Sequence, residues 1–177
     1  MSDPKPAVPY PNTYWIIPGQ YLAGEHPGDL NEDLLIARVS ALLEAGIRTF
    51  VDLTEDHEMD GYYGHLRNLA EKRRIEITYL RVPIADQGVP SSWTLRCILD
   101  VLDRSIVDGH PAFVHCFAGR GRTGTVVGAY LKRHGLAKQG DVVAKLAQLR
   151  RLMPCGRESS PQTPEQIRVV ENWKEGA

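Results

Sequence analysis

Cysteine is scarce in this chain and never paired. Its three cysteines stand at 97, 116 and 155, with no C-x-x-C spacing of the kind that builds a zinc site or a disulfide framework. A stapled secreted scaffold is excluded, a reducing compartment fits, and each cysteine has to be explained singly. An excess of charge of either sign is lacking too. Lys and Arg number 21 against 22 Asp and Glu, a formal net charge of -1, which gives no global attraction for nucleic acid or an anionic membrane. Recognition of an anion must then come from a local cluster. No apolar run reaches the length that spans a bilayer, and the opening MSDPKPAVPYPNTYW has neither the basic start nor the apolar stretch of a signal peptide. The expectation is a cytoplasmic protein with no nucleic-acid partner and no integral membrane segment.

What is present is a 177-residue chain with 42% hydrophobic residues, enough for one sizeable core. Residues 1–13 carry Pro4, Pro6, Pro9 and Pro11 among small and polar neighbours, which resists helix and sheet and reads as a flexible arm outside the core. Residues 14–177 read as a single domain. Pro18-Gly19 marks a turn between two short apolar pieces, Tyr14 to Leu22. Helices are predicted at about 31–44, 62–72, 91–107, 123–134, 141–153 and 163–173, and strands at 47–53, 75–84 and 112–116. In the helix begun at Ser91, residues Trp93, Ile98, Leu99, Leu102 and Ile106 fall on one side. Strands alternating with helices imply an α/β fold with a central, mainly parallel sheet flanked by helices.

The segment His115-Cys116-Phe117-Ala118-Gly119-Arg120-Gly121-Arg122-Thr123-Gly124 lies where a predicted strand ends and a predicted helix begins. Unpaired amides at that helix N-terminus, together with the helix dipole, favour a negative charge in the loop. Gly119, Gly121 and Gly124 let the backbone curl into a nest of amides around an oxyanion. A thiol placed there is favoured as the thiolate. Six residues on, Arg122 offers a planar fork that matches phosphate oxygens, as Lys would not. His115 is expected to orient the loop through a backbone hydrogen bond, and the Thr123 hydroxyl to donate to the Cys116 sulfur. Phe117, Ala118, Gly119, Arg120, Gly121 and Arg122 are the candidate substrate-binding residues. The bland alternative, a buried cysteine ending a core strand, leaves the His, the three glycines and the Arg-Thr-Gly ending unexplained. A nucleotide P-loop is excluded because no Gly-Lys-Ser/Thr ending is present.

His115 to Thr123 fits H-C-x5-R-[ST], and on that motif the chain resembles the protein tyrosine phosphatase superfamily. Asn12-Thr13-Tyr14-Trp15, Gly24-Glu25-His26-Pro27-Gly28 and Ala129-Tyr130-Leu131 extend the resemblance to the small bacterial dual-specificity-like phosphatases. The resemblance implies a cysteine-dependent phosphatase acting on phosphotyrosine, and on phosphoserine or phosphothreonine, in proteins through a phosphocysteine intermediate, with no metal and no cofactor. It also implies a general acid on a loop about thirty residues before the nucleophile, where Asp86 is the matching residue, and a late-loop Gln that positions water, for which Gln162 is the candidate with Gln166 behind it. One rival keeps the chemistry but takes a phosphoinositide or inositol phosphate, with Arg120 as a second cation at the pocket mouth. Others are a phosphate-binding module without turnover and sulfur transfer on a rhodanese-like loop, which leaves Asp86 without a role. The cluster Asp52, Glu55, Asp56, His57, Glu58 lacks a clean metal-ligand spacing and reads as a solvated loop. Cys97 and Cys155 read as packing residues.

Overall fold

A computed structural model describes residues 6–58 and 61–177. Its strands are β1 (Thr13–Ile17), β2 (Tyr21–Glu25), β3 (Thr49–Asp52), β4 (Thr78–Arg81) and β5 (Ala112–Cys116). The helices are α1 (Glu32–Glu44), α2 (Tyr63–Arg73), α3 (Ser92–Val107), α4 (Gly121–Arg133), α5 (Val142–Arg150) and α6 (Pro164–Asn172). The sheet runs β1-β2-β5-β3-β4. The β1–β2 hairpin is antiparallel and the remaining pairings are parallel, so the carboxyl ends of β2, β5, β3 and β4 share one edge, where an open α/β sheet places its ligands.

Residue types account for the element ends. The Asn31 side chain accepts from the amides of Asp33 and Leu34 and opens α1, and the Ser91 side chain accepts from the Thr94 amide and opens α3. Thr163 and Gln166 form a reciprocal capping box at the start of α6, with Pro164 at its first position. The central strand β5 is buried throughout, as an apolar strand covered on both faces should be. Its alternation divides the core. Ala112, Val114 and Cys116 join the cluster that includes α3 to α6, while Phe113 joins Phe50, Tyr62 and Leu66 on the face of α1 and α2.

Four details depart from the sequence reading. Of the expected arm, residues 1–5 lie outside the described residues; Tyr10, however, is buried, packs edge-on to Phe113 and donates to the Glu25 carbonyl at 2.7 Å. An aromatic ring overrides the prolines around it once sheet surface is available. Trp93 is 75% exposed while Leu95 is buried, because at about 100° per residue Trp93 stands on the opposite side of α3 from Leu95 and Leu102. α5 stops at Arg150, with Met153 buried in the turn beyond it. α4 begins at Gly121, two residues before the expected Thr123, so Arg122 lies in its first turn.

The loop between β5 and α4 is locked against β2. Gly119 has φ +66, and a Cβ there would run into the backbone carbonyl carbon of Gly24, which is fixed in the sheet and cannot yield. Gly109, with φ +75, has open space around it. Gly109→Ala should therefore cost only the left-handed backbone penalty, about 1 kcal/mol, whereas Gly119→Ala should cost at least about twice that through the added collision. Urea unfolding of the two variants checks the difference.

Candidate active site

The strand β5 delivers two neighbouring side chains to opposite faces. His115 goes to the α1/α2 face, wholly buried, with Nε2 2.8 Å from the Tyr62 hydroxyl and Nδ1 3.4 Å from the Cys116 carbonyl oxygen. The expected bond to the loop backbone is thus the longer of its two contacts. Burial pushes the His115 imidazole below its ordinary pKa, against the pull of nearby Asp52, so the ring is neutral at physiological pH. His26, stacked edge-on to His115 and accepting the Gly28 amide at its Nδ1, is held down to about 3 by burial first and by His115 second.

Cys116 lies on the other face and closes the floor of a cavity of about 190 Å³, which Phe117, Arg120, Arg122, Asp86, Glu58 and Gln162 help to line. Cavities of about 470 and 330 Å³ lie elsewhere, one between β1 and α5 and the other beside α3, and contain none of the signature residues. Size is therefore no guide to the chemistry here. Among the described residues, no acceptor is bonded to the backbone amides from Phe117 to Arg122. Six consecutive donors beside a cysteine and a helix N-terminus constitute an anion-binding nest.

Arg122 closes the ring. Its side chain is 2% exposed; Nη1 donates to the Ile84 carbonyl at 3.0 Å and the Leu53 carbonyl at 3.4 Å, and Nη2 to Asp86 Oδ1 at 3.4 Å. Glu58 takes both Nη atoms, at 2.5 and 2.6 Å. Burial works against the guanidinium charge, but the Glu58 hydrogen bonds and the nearby acidic groups outweigh it and hold the Arg122 pKa above its usual value. In return, the Arg122 hydrogen bonds hold the Glu58 carboxyl below the usual range against a burial effect of opposite sign. No described residue accepts from Arg122 Nε, which leaves one donor of the fork free beside the cavity that Arg122 lines.

Glu58 is the residue that the sequence reading missed, having placed it with Asp52, Glu55, Asp56 and His57 in a solvated loop. Asp52 is also no solvent residue: it is 2% exposed and accepts from the Thr54 amide, the Thr54 hydroxyl and the Tyr79 hydroxyl at 2.9, 2.6 and 2.6 Å. The signal available was topological. This segment leaves the carboxyl end of β3, which is paired with β5, and so reaches the same edge as the signature loop.

Asp86, 62% exposed, sits on the loop after β4, with its amide bonded to Glu55 Oε2 at 3.2 Å. The buried Gln166 ties this loop to α6: its Nε2 donates to the Gly88 carbonyl at 2.9 Å while its Oε1 accepts the amides of Gln162 and Thr163 at 3.0 and 3.1 Å. Gln166 is thereby a clamp, and Gln162 is the amide that reaches the cavity. Thr123 does not behave as expected. Its hydroxyl is buried and bonds to no described residue, Cys116 included, because α4 has already begun at Gly121 and carries residue 123 into the helix. Arg120 lines the cavity but is engaged by Glu158 at 2.6 Å. Cys97 and Cys155 are half-buried and unpaired by disulfide. Among the described residues no group of three or more His, Cys, Asp or Glu is placed to hold a metal ion.

A cysteine and an arginine six positions apart, enclosing a nest of free amides between a parallel strand and a helix, define a cysteine phosphatase type of site. Residues 34–136 match the sequence model of the family described as "Polymorphic toxin system, DSP-PTPase phosphatase", and the chain belongs to that family. The Arabidopsis thaliana phosphatidylinositol 3,4,5-trisphosphate 3-phosphatase and protein-tyrosine-phosphatase PTEN1 is 28% identical over 125 residues, 70% of this chain and 26% of that protein. The chain spans less than two thirds of the length of curated relatives such as this one. Among solved structures, a mutant form of Tk-PTP is 27% identical, with a TM-score of 0.65 over 91% of this chain and 93% of the other. PTPMT1 in complex with PI(5)P shares the fold at 21% identity, with a TM-score of 0.66 over 90% and 93%.

The Arg122–Glu58 pair has a measurable consequence. Glu58→Gln keeps the shape but removes the charge, and should destabilise the protein by about 1–3 kcal/mol at pH 7. A carboxyl whose pKa is lowered by folding stabilises above its unfolded value and loses that contribution as pH falls through the folded one. The gap between wild type and variant should therefore narrow progressively below about pH 4.3, the ordinary glutamate value, in urea titrations repeated across the acid range.

Proposed function

We propose that this chain hydrolyses phosphate monoesters through a phosphocysteine intermediate. The observation that carries the reading is the juxtaposition of Cys116 with six unengaged amides and the open Nε edge of Arg122 in one small cavity. A phosphoryl group seated there has its three equatorial oxygens held by amides and guanidinium, and its phosphorus above the sulfur.

In the first step the Cys116 thiolate forms the S–P bond as the P–O bond to the substrate breaks, and Asp86 gives its proton to the departing oxygen. In the second, water attacks phosphorus, Asp86 takes a proton from that water, and the thiolate leaves, releasing inorganic phosphate. Charge spread over the equatorial oxygens in both transition states is met by Arg122, whose other edge Glu58 holds in place. Gln162 positions the attacking water. His115, neutral and wedged against Tyr62, keeps the strand end rigid.

The substrate reading is phosphotyrosine, with phosphoserine and phosphothreonine, on proteins, as the protein-tyrosine-phosphatase part of the PTEN1 name supports. Phe117, half exposed at the cavity's lining, suits an aryl ester lying against an aromatic side chain. A phosphate-binding module without turnover is the reading of another class, and phosphate release from p-nitrophenyl phosphate separates the two.

Two variants test the chemistry. Cys116→Ser should abolish phosphate release while a phosphotyrosyl peptide still binds, since the hydroxyl is a poor nucleophile at neutral pH but leaves the nest intact; retained turnover would refute the covalent route. Asp86→Asn should lower kcat by about 100-fold or more for a poor leaving group and far less for p-nitrophenyl phosphate, whose leaving group needs little protonation. Equal losses on both would move the acid to another residue, Asp56 being the next to examine.

A further inference from the structure

We infer that Glu158 sets the substrate class of this site: by neutralising Arg120 it selects esters bearing a single phosphate against those bearing a second one. The inference rests on the phosphocysteine reading of the same cavity. Arg120 is the one cation of the signature loop that Arg122's role leaves over, and a bare guanidinium there would form a ready second phosphate subsite. It is not bare. Its Nη1 lies 2.6 Å from Glu158 Oε2, its Nε 3.5 Å from the Ser159 carbonyl oxygen, and its own carbonyl accepts from Ser160 Oγ at 2.9 Å. Three consecutive residues thus hold it.

That segment is itself anchored from behind. The fully buried Arg150 donates from Nη1 to the Glu158 carbonyl at 2.7 Å, and Ser160 packs so closely on α4 that a Cβ at Gly124 would collide with its hydroxyl. Glu158 therefore cannot follow its own preference for solvent by carrying the backbone away; only its side chain can leave. Charges around the cavity point the same way. Glu58, Asp86 and Glu158 set three carboxylates against the two guanidiniums of Arg120 and Arg122. A monoester's phosphate is served by the amides and the Nε of Arg122. A second phosphate finds a guanidinium already occupied and a carboxylate beside it, so it has to displace that carboxylate or sit against a like charge.

Glu158 is half exposed, so its replacement should be tolerated by the fold. The test compares kcat/KM on p-nitrophenyl phosphate and on a short-chain phosphatidylinositol bisphosphate for the wild type, Glu158→Gln, Arg120→Ala and the double variant. Glu158→Gln should raise the value for the bisphosphate by about ten-fold, the scale of one hydrogen bond to a charged group, and leave p-nitrophenyl phosphate unchanged. The gain should vanish in the double variant. A bisphosphate value that does not rise, a rise shared equally by both substrates, or a gain that survives without Arg120 overturns the inference. Should the wild type release phosphate from neither substrate, the catalytic reading fails separately. Calorimetric titration with inositol bisphosphate and with inorganic phosphate then reads the same selectivity as binding: a ten-fold tightening confined to the bisphosphate upholds the role of Glu158, and no tightening refutes it.

Discussion

Putting a guanidinium almost wholly inside a protein is costly, and the arrangement around Arg122 shows what makes it tolerable. Two carbonyls from the ends of β3 and β4, the carboxylate of Glu58 and the more distant Asp86 supply acceptors on one side of its fork. Those four partners come from two segments, Leu53 and Glu58 after β3 and Ile84 and Asp86 after β4, so the charge works as a staple: it fastens the loop after β3 and the loop after β4 to the first turn of α4. It adds to the ties that these loops already make to one another, Ile84 N to Leu53 O at 3.1 Å and Asp86 N to Glu55 Oε2 at 3.2 Å. The Nε of the fork has no described partner, whereas its far end is already satisfied.

Around this staple the cavity is built in layers of differing rigidity. Behind β5, the neutral His115 meets the Tyr62 hydroxyl, and the neighbouring buried Asp52 accepts from Thr54 and Tyr79, so these polar groups are satisfied within the protein around the strand end that carries Cys116. Gln166 adds a lateral tie between α6 and the loop bearing Asp86. Asp86 itself stays largely in solvent, its carboxylate held only by the 3.4 Å contact to Arg122, a disposition that suits the acid and base role proposed for it. Glu158 and Arg120 form the outer layer, where a pair too exposed to matter for stability can still bias what enters.

Conserving the chemistry while varying the outer layer is an economical way for one fold to serve different esters. Under the proposed chemistry the nest, the thiol and the inner arginine would serve any phosphoryl group, because each would contact only oxygens and phosphorus. Discrimination has to come from the rest of the substrate, and so from residues such as Phe117, Arg120 and Glu158 that surround the group rather than hold it.

Much of this was legible along the chain. The order of strands and helices, the parallel sheet and the phosphate loop follow from short-range rules: apolar periodicity, capping side chains, and a cysteine, glycines and an arginine packed into ten consecutive residues. Such signals survive in one dimension because the atoms that interact are near neighbours in sequence, as Cys116 and Arg122 are. Glu58, 64 positions from Arg122, and Glu158, on a late turn, carry no such mark; a glutamate in a polar loop looks the same whether it meets water or a guanidinium. The buried place of Tyr10 and the unpartnered Thr123 hydroxyl were likewise invisible, each depending on where a sheet edge or a helix start falls to within a residue or two. What the amino-acid sequence determined by itself was the fold and the family, through the loop from Cys116 to Arg122. Which carboxylate holds which arginine was decided only by the tertiary structure, because pairing between distant charges is set by the convergence of strand ends, and that convergence exists only once the sheet has formed.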